Sequence, residues 1–334
     1  MTHDLQLTTN KQPTTYDSRL TTDDFFHDIW RGLTASPKYL QSKYFYDEAG
    51  DAIFQEIMAC PEYYLTRCEL DIFSNKSAEL SNTILSYFRD FDIVELGAGD
   101  ASKSAYLLDA LLKHEINFTY YPIDISKNII TYLDKKLPAT LPGIKAYGLN
   151  GDYFDMLENL KEISTRNKVV LFLGSSIGNI KLENTVDFFK ELRTHLLPGD
   201  LILTGFDLKK DPGTILAAYN DAGGITRRFN LNLLQRINNT LDADFDLTQF
   251  AHRPEYNEQT GACRSYLESL KAQRVRIGEV GWIHFKEGEQ IFMEISQKYT
   301  PQQTDEFSLA AGFTPIRHFY DSKKWFLDAL WQCT

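Results

Sequence analysis

The stretch Ile93-Val94-Glu95-Leu96-Gly97-Ala98-Gly99-Asp100 carries the strongest chemical signal in the chain. An apolar run ends in an acid and is followed by two glycines spaced by one residue and a helix-like segment over 102–112. The pattern predicts a strand, a tight turn and a helix start. Glycines there let the backbone come close to a ligand. A second acid, Asp124, closes the next apolar run, Tyr120-Tyr121-Pro122-Ile123. An acid at a second strand end suits the paired hydroxyls of a ribose; the lesser alternative is a cap on the helix that follows. In Gly151-Asp152-Tyr153-Phe154, after a third strand, the acid can accept from an adenine-type amino group while the aromatic covers the base; the alternative is a turn with a core aromatic.

Three further groups matter. Lys103, on the first turn of the helix after the glycines, either reaches a ligand carboxylate or is solvated. Phe172-Leu173-Gly174-Ser175-Ser176-Ile177-Gly178-Asn179 follows a fourth strand. That is the carboxyl edge of the sheet, where open α/β folds bind ligands. Asn179 can donate to a carboxylate and accept from an amine, or simply close the turn. In Glu294-Ile295-Ser296 the acid and the hydroxyl lie on one face of a strand. Together they could hold both nitrogens of an imidazole, or they face solvent.

The elements that must position these groups alternate. Helices are predicted over 21–32, 52–58, 67–85, 102–112, 127–136 and 185–197. Strands are predicted over 93–96, 120–123, 145–149, 169–173 and 200–205. Such alternation implies a parallel sheet covered by helices on both faces. After Asp207 the pattern changes: a helix from Asp211-Pro212-Gly213 through Tyr219, another over 230–241, then strands over 263–270, 273–277, 281–285 and 290–296. A helix over 304–311 and strands over 315–320 and 325–331 finish the chain.

The chain has 334 residues, 43% hydrophobic and 24% charged, with a net charge of −11. That composition is globular, and its acidity argues against nucleic acid as the main ligand. No apolar run reaches the ~20 residues of a membrane span, and the polar segment 1–20 reads as a flexible leader rather than a secretory signal. Cys60, Cys68, Cys263 and Cys333 show no metal or disulfide spacing, so reduced thiols in the cytoplasm are expected. The scattered histidines, such as His27, His195 and His284, suggest no metal site.

The glycine turn resembles the S-adenosylmethionine site of class I methyltransferases. A nicotinamide fingerprint wants a third glycine or alanine where this chain has Ser102, and Glu95 precedes the glycines. Across its length from Leu33 the chain resembles the ergothioneine-pathway L-histidine Nα-methyltransferases. The motifs are Tyr44-Phe45-Tyr46-Asp47, Pro61-Glu62-Tyr63-Tyr64-Leu65-Thr66-Arg67, Val94-Glu95-Leu96-Gly97-Ala98-Gly99, the 172–179 loop, Ala218-Tyr219-Asn220-Asp221-Ala222-Gly223-Gly224-Ile225-Thr226 and Glu294-Ile295-Ser296-Gln297-Lys298-Tyr299.

The resemblance implies an α/β fold, a Rossmann-like methyltransferase sheet with a second, α+β substrate-binding domain. The cofactor domain would comprise 68–208 and 297–334, and the substrate domain 21–67 and 209–296. It implies cofactor contacts at Gly97, Lys103, Asp124, Asp152 and Tyr153. It implies that Asn179 and Tyr219 meet the carboxylate of an amino acid, that Tyr46, Phe54 and Tyr63 form aromatic walls and position the amine, and that Glu294 and Ser296 hold the imidazole. Tyr46 is the candidate, if weak, base. An indole would leave one pocket group unpaired, at about 1–3 kcal/mol, which favours L-histidine over tryptophan. The expected product is the Nα-trimethyl betaine, hercynine, and the expected state a monomer with neither nucleic-acid nor membrane partner. One departure stands out: Arg264-Ser265 replaces the Glu-Met that histidine enzymes of the family tend to carry. A small Ser265 facing inward would enlarge or polarise the pocket, leaving another amino acid or amine as the alternative substrate.

Overall fold

A computed structural model describes residues 22–334; the leader expected over 1–20 lies outside the described residues. In chain order the elements are α1 (Thr22–Thr34), β1 (Lys38–Tyr39), α2 (Glu48–Ala59), α3 (Tyr64–Leu85), β2 (Asp90–Leu96), α4 (Ser104–Leu112), β3 (Asn117–Asp124), α5 (Lys127–Thr140), β4 (Leu149–Asn150), α6 (Tyr153–Ile163), β5 (Lys168–Phe172), α7 (Thr185–Thr194) and β6 (Leu201–Asp207). There follow α8 (Pro212–Ala218), α9 (Ile225–Leu241), β7 (Phe250–Asn257), β8 (Ala262–Ser269), β9 (Gln273–Ile277), β10 (Gly281–Phe285), β11 (Gln290–Gln297), α10 (Pro301–Ala310), β12 (Phe313–Tyr320) and β13 (Phe326–Cys333).

The main sheet has seven strands in the order β12-β13-β6-β5-β2-β3-β4. β2 pairs in parallel with β3 and β5, and β5 with β6; β13 runs antiparallel between β6 and β12. The apolar runs read as strands because both faces are covered. Ile93, Val169 and Leu203 point into one hydrophobic cluster with α3, α4 and α5; their neighbours Val94, Val170 and Ile202 point into another with α6 and α7. Side chains alternate across a strand, so a sheet buried on two sides needs an unbroken apolar sequence.

A second sheet, β1-β11-β8-β7, and the hairpin β9–β10 make a further layer. Its core joins Phe25, Phe45 and Ile57 to Leu233 and Ile237 of α9 and to Leu267 and Ile291. β11 and β8 pair antiparallel, with Glu294 opposite Ser265 and Ser296 opposite Cys263.

Four details differ from the sequence reading. α6 was not foreseen, although Asp152 caps it by accepting from the Phe154 N–H. β7 was also missed, its outer face being polar. The strand expected over 145–149 pairs only at Leu149–Asn150, beyond a single bridge at Ala146. α3 begins at Tyr64 rather than Arg67, and both α3 and α8 contribute to the core of the main sheet, with Leu65 and Ile215 among its members.

Candidate active site

The expected residues converge on one cavity of about 450 Å³ at the carboxyl ends of β2, β3 and β5. All of Tyr46, Phe54, Tyr63, Gly97, Lys103, Asp124, Asp152, Tyr153, Asn179, Tyr219, Glu294 and Ser296 line it. The main sheet supplies one wall; α2, α9 and β11 supply the other.

On the sheet side the chain turns sharply after β2. Gly97 has φ of +71°, and a Cβ there would lie 2.7 Å from the Tyr153 hydroxyl. Only glycine adopts this conformation freely and leaves the space open. The Gly99 N–H donates to the Asp124 carboxylate at 3.1 Å, and the Ser126 N–H donates to its other oxygen at 2.9 Å. Asp124 therefore has a fixed orientation. Burial raises its pKa above the ordinary value, and those two N–H bonds oppose the rise. Tyr153 packs edge-on against Phe172, with ring centroids 5.9 Å apart. Ser126 also donates to Asp51 of α2 at 3.1 Å, tying that helix to the rim.

Lys103 is not a free cation. Its ammonium is paired with Glu69 of α3, whose carboxylate also accepts from the Gly174 N–H at 2.8 and 2.9 Å. Burial alone would lower the lysine pKa, but Glu69 more than offsets it and the value rises. Glu95 lies beneath, 3% exposed, and accepts from the Tyr120 hydroxyl. Burial pushes Glu95 up to about 7 despite the hydrogen bonds from Tyr120 and Ser104. Asp328 is fully buried beside Glu69, and burial then Glu69 raise its pKa well above the carboxylate range.

On the opposite side Glu294 and Ser296 face the cavity together, as the strand period requires. Burial raises Glu294 to about 7, while side-chain hydrogen bonds from Asn230 and Ser265 hold it down. Ser265 is 1% exposed and lies outside the cavity lining, directly opposite Glu294 on the neighbouring strand. Its hydroxyl hydrogen-bonds the acid, the polarising of the two expected effects, and Ser265 itself is not among the lining residues. The Ser296 hydroxyl is 2.6 Å from that of Tyr219, and both accept from Lys298, at 2.7 and 2.8 Å.

Aromatic rings close the pocket. Tyr46 packs edge-on to Phe54 at 5.6 Å and to Phe229 at 5.8 Å; Tyr63 meets Tyr219 at 6.1 Å. Burial, then the negative charge of Glu294, raises the Tyr46 pKa well above 10, so its phenol keeps its proton. Asn179 ends the loop after β5, which opens with Gly174 and Ser175 in left-handed conformation.

Sequence reading missed several participants. Glu69 lies on the buried face of α3, a position where a lone acid signals a partner. Phe229 belongs to the apolar stripe of α9. Lys298 and Asp207 form an ion pair at 2.7 Å with both side chains fully buried. Among the described residues, no group of three or more His, Cys, Asp or Glu is arranged to hold a metal. Nor is any described helix long and apolar enough to cross a membrane.

Residues 25–333 match the family described as histidine-specific, S-adenosylmethionine-dependent methyltransferases. The chain is 37% identical to the histidine N-alpha-methyltransferase of Mycolicibacterium smegmatis, and 34% identical to that of Mycobacterium tuberculosis. Each alignment covers 88% of this chain and 90% of the relative. Ergothioneine biosynthesis protein 1 of Neurospora crassa is 30% identical over 84% of this chain and 32% of its own length. The turn at Gly97, the acid at Asp124 and the pocket pair at Glu294 and Ser296 thus belong to a chain that is a member of the S-adenosylmethionine-dependent, histidine-specific methyltransferase family.

Proposed function

We propose that this protein transfers methyl groups from S-adenosylmethionine to the α-amino nitrogen of L-histidine, three times, giving hercynine for ergothioneine biosynthesis. The observation that carries this reading is one cavity lined on one side by Gly97, Asp124 and Tyr153 and on the other by Glu294 and Ser296. The residues fit the cofactor. A Cβ at Gly97 would enter the cavity against Tyr153, and Asp124 is oriented by two backbone N–H groups. Asp124 would hold the ribose hydroxyls, Asp152 and Tyr153 the adenine, and the 97–99 turn with Lys103 the methionine part. Because Lys103 is paired with Glu69, it would orient that carboxylate as part of an ion-pair network. The segments 21–67 and 209–296 would form the substrate domain, with 68–208 and 297–334 holding the cofactor; within the former, α8 and the first turn of α3 pack against the cofactor sheet and join the two.

The cofactor supplies an activated methyl group, and the chain's residues supply position. Asn179 and Tyr219 would hold the substrate carboxylate, and Glu294 and Ser296 the ring. An amine attacks only as a free base, so the ammonium must first lose a proton. Tyr46 keeps its own proton and would act through its oxygen lone pair, orienting the amine or passing the proton to water. Holding the nitrogen in line contributes most of the rate. Phe54 and Tyr63 would wall the site. The four cysteines, all unpaired, fit a reducing cytoplasm, and the chain would act as a monomer.

Turnover with an amino-acid panel, read by mass spectrometry, tests this reading. Histidine gaining three methyl groups is expected. A gain of only one or two would refute trimethylation, and turnover of another amino acid in preference to histidine would refute the substrate.

A further inference from the structure

We infer that Lys298 is a positioning residue of the substrate pocket: it clamps the Tyr219 and Ser296 hydroxyls into a pair that shows the substrate one hydrogen-bond donor and one acceptor. The identity of the substrate rests on the proposed function; the clamp itself rests on geometry.

Lys298 is fully buried. Its ammonium has three protons and no lone pair. All three have partners: Asp207 at 2.7 Å, Ser296 Oγ at 2.7 Å and Tyr219 Oη at 2.8 Å. Both hydroxyls must therefore accept from it. They also lie 2.6 Å from each other, so one donates to the other. Two hydroxyls carry two protons and four acceptor positions. Lys298 occupies one acceptor position on each oxygen. The mutual bond uses one proton and one further acceptor position. One proton and one lone pair remain, on different oxygens, and both residues line the cavity.

The sum is the same whichever hydroxyl donates. Reversing the mutual bond exchanges the donor and acceptor ends and breaks no bond to Lys298. With Tyr219 donating its free proton to the substrate carboxylate, Ser296 donates to Tyr219 and keeps the free lone pair, so it meets a ring N–H.

Neutralising Asp207 does not account for a buried lysine here. Asp207 already has Lys210, and it accepts from the Tyr64 hydroxyl at 2.8 Å. Burying a second ammonium is costly unless all its protons are used. Two of its three bonds go to hydroxyls that face the cavity.

The test is Lys298→Met, which keeps the stem and removes the ammonium. With S-adenosylhomocysteine present, the histidine Kd should rise about tenfold or more, as expected for loss of a charge-assisted bond. Affinity for S-adenosylhomocysteine should stay within about twofold. Ser296→Ala should cost several-fold in the wild type and under about twofold in the Lys298→Met background, because the hydroxyl is no longer held. Lys210→Met also removes a cation from Asp207 but touches neither hydroxyl; it should lower the Tm and leave the histidine Kd within about threefold. Unchanged histidine affinity in Lys298→Met, or the same Ser296→Ala cost in both backgrounds, overturns the clamp. Should Lys298→Met not fold, a cycle of Tyr219→Phe and Ser296→Ala on the intact chain decides the matter. Losses that multiply independently contradict the clamp; a joint loss smaller than their product supports it. If the wild type binds S-adenosylhomocysteine but no histidine, the substrate reading fails, and the same cycle is run with the amino acid that the panel selects.

Discussion

Replacing Glu294 with glutamine should weaken substrate binding and stabilise the empty protein. Glu294 sits at about 7 in the fold against an ordinary 4.5, because burial disfavours its charge. Between those values the unfolded chain has lost this proton while the folded chain retains it. Stability therefore falls as pH rises through that window, and the full penalty applies above 7. The gap amounts to roughly 3 kcal/mol as a ceiling, since the side chain is partly open to the cavity. Glutamine removes the penalty. At pH 8 the Glu294→Gln variant should melt a few degrees higher, on the scale of about 2–4 °C per kcal/mol for chains of somewhat smaller size; at pH 4.5 the two proteins should melt together. Glu95, also held at about 7, is untouched and leaves a residual slope in both. Histidine binding should move the other way. A hydrogen bond to a charged group contributes about 1.5–3 kcal/mol, so the histidine Kd should rise roughly 10- to 150-fold. Differential scanning calorimetry across pH and titration calorimetry with S-adenosylhomocysteine read the two effects. A variant that binds histidine within twofold of wild type, or melts no higher at pH 8, would refute the assignment.

Two further substitutions probe the cofactor side. Gly97→Ala places a Cβ 2.7 Å from the Tyr153 hydroxyl at a φ of +71°, a conformation costing about 1–2 kcal/mol for an alanine; the S-adenosylhomocysteine Kd should rise at least about tenfold, read by titration calorimetry. Gly205→Ala would put a Cβ 2.3 Å from Glu69 and 3.1 Å from Asp328. It should displace Glu69 from Gly174 and Lys103, destabilising the protein by about 1–3 kcal/mol in denaturant melts, whereas an unchanged midpoint would mean that Glu69 gives way freely.

The main sheet was legible because its strands are buried on both faces and so write continuous apolar runs. The acids and glycines at its carboxyl edge stood out against those runs. The α6 helix escaped because Asp152 and Tyr153 were read as ligand contacts on a turn, although Asp152 caps a helix and Tyr153 both starts it and lines the cavity. β7 escaped because a half-exposed strand with Arg253, Glu255 and Asn257 outward looks like a loop. Glu294 and Ser296 were paired correctly, since a two-residue spacing on a strand fixes the shared face. Their supports were not legible. Lys298 meets Asp207 across 91 positions of sequence (298 − 207), and nothing local to either residue announces the other. Ser265 was read as enlarging or polarising the pocket; which of the two applies is set by its register opposite Glu294, where it hydrogen-bonds that acid, a fact of strand pairing alone.

Histidine recognition by Glu294 is tested most directly by a calorimetric titration of L-histidine into the protein with S-adenosylhomocysteine bound. Saturable binding in the micromolar to sub-millimolar range is expected, weakened at least about tenfold by Glu294→Ala. Retained S-adenosylhomocysteine binding with no histidine heat, or histidine binding indifferent to Glu294→Ala, would contradict it.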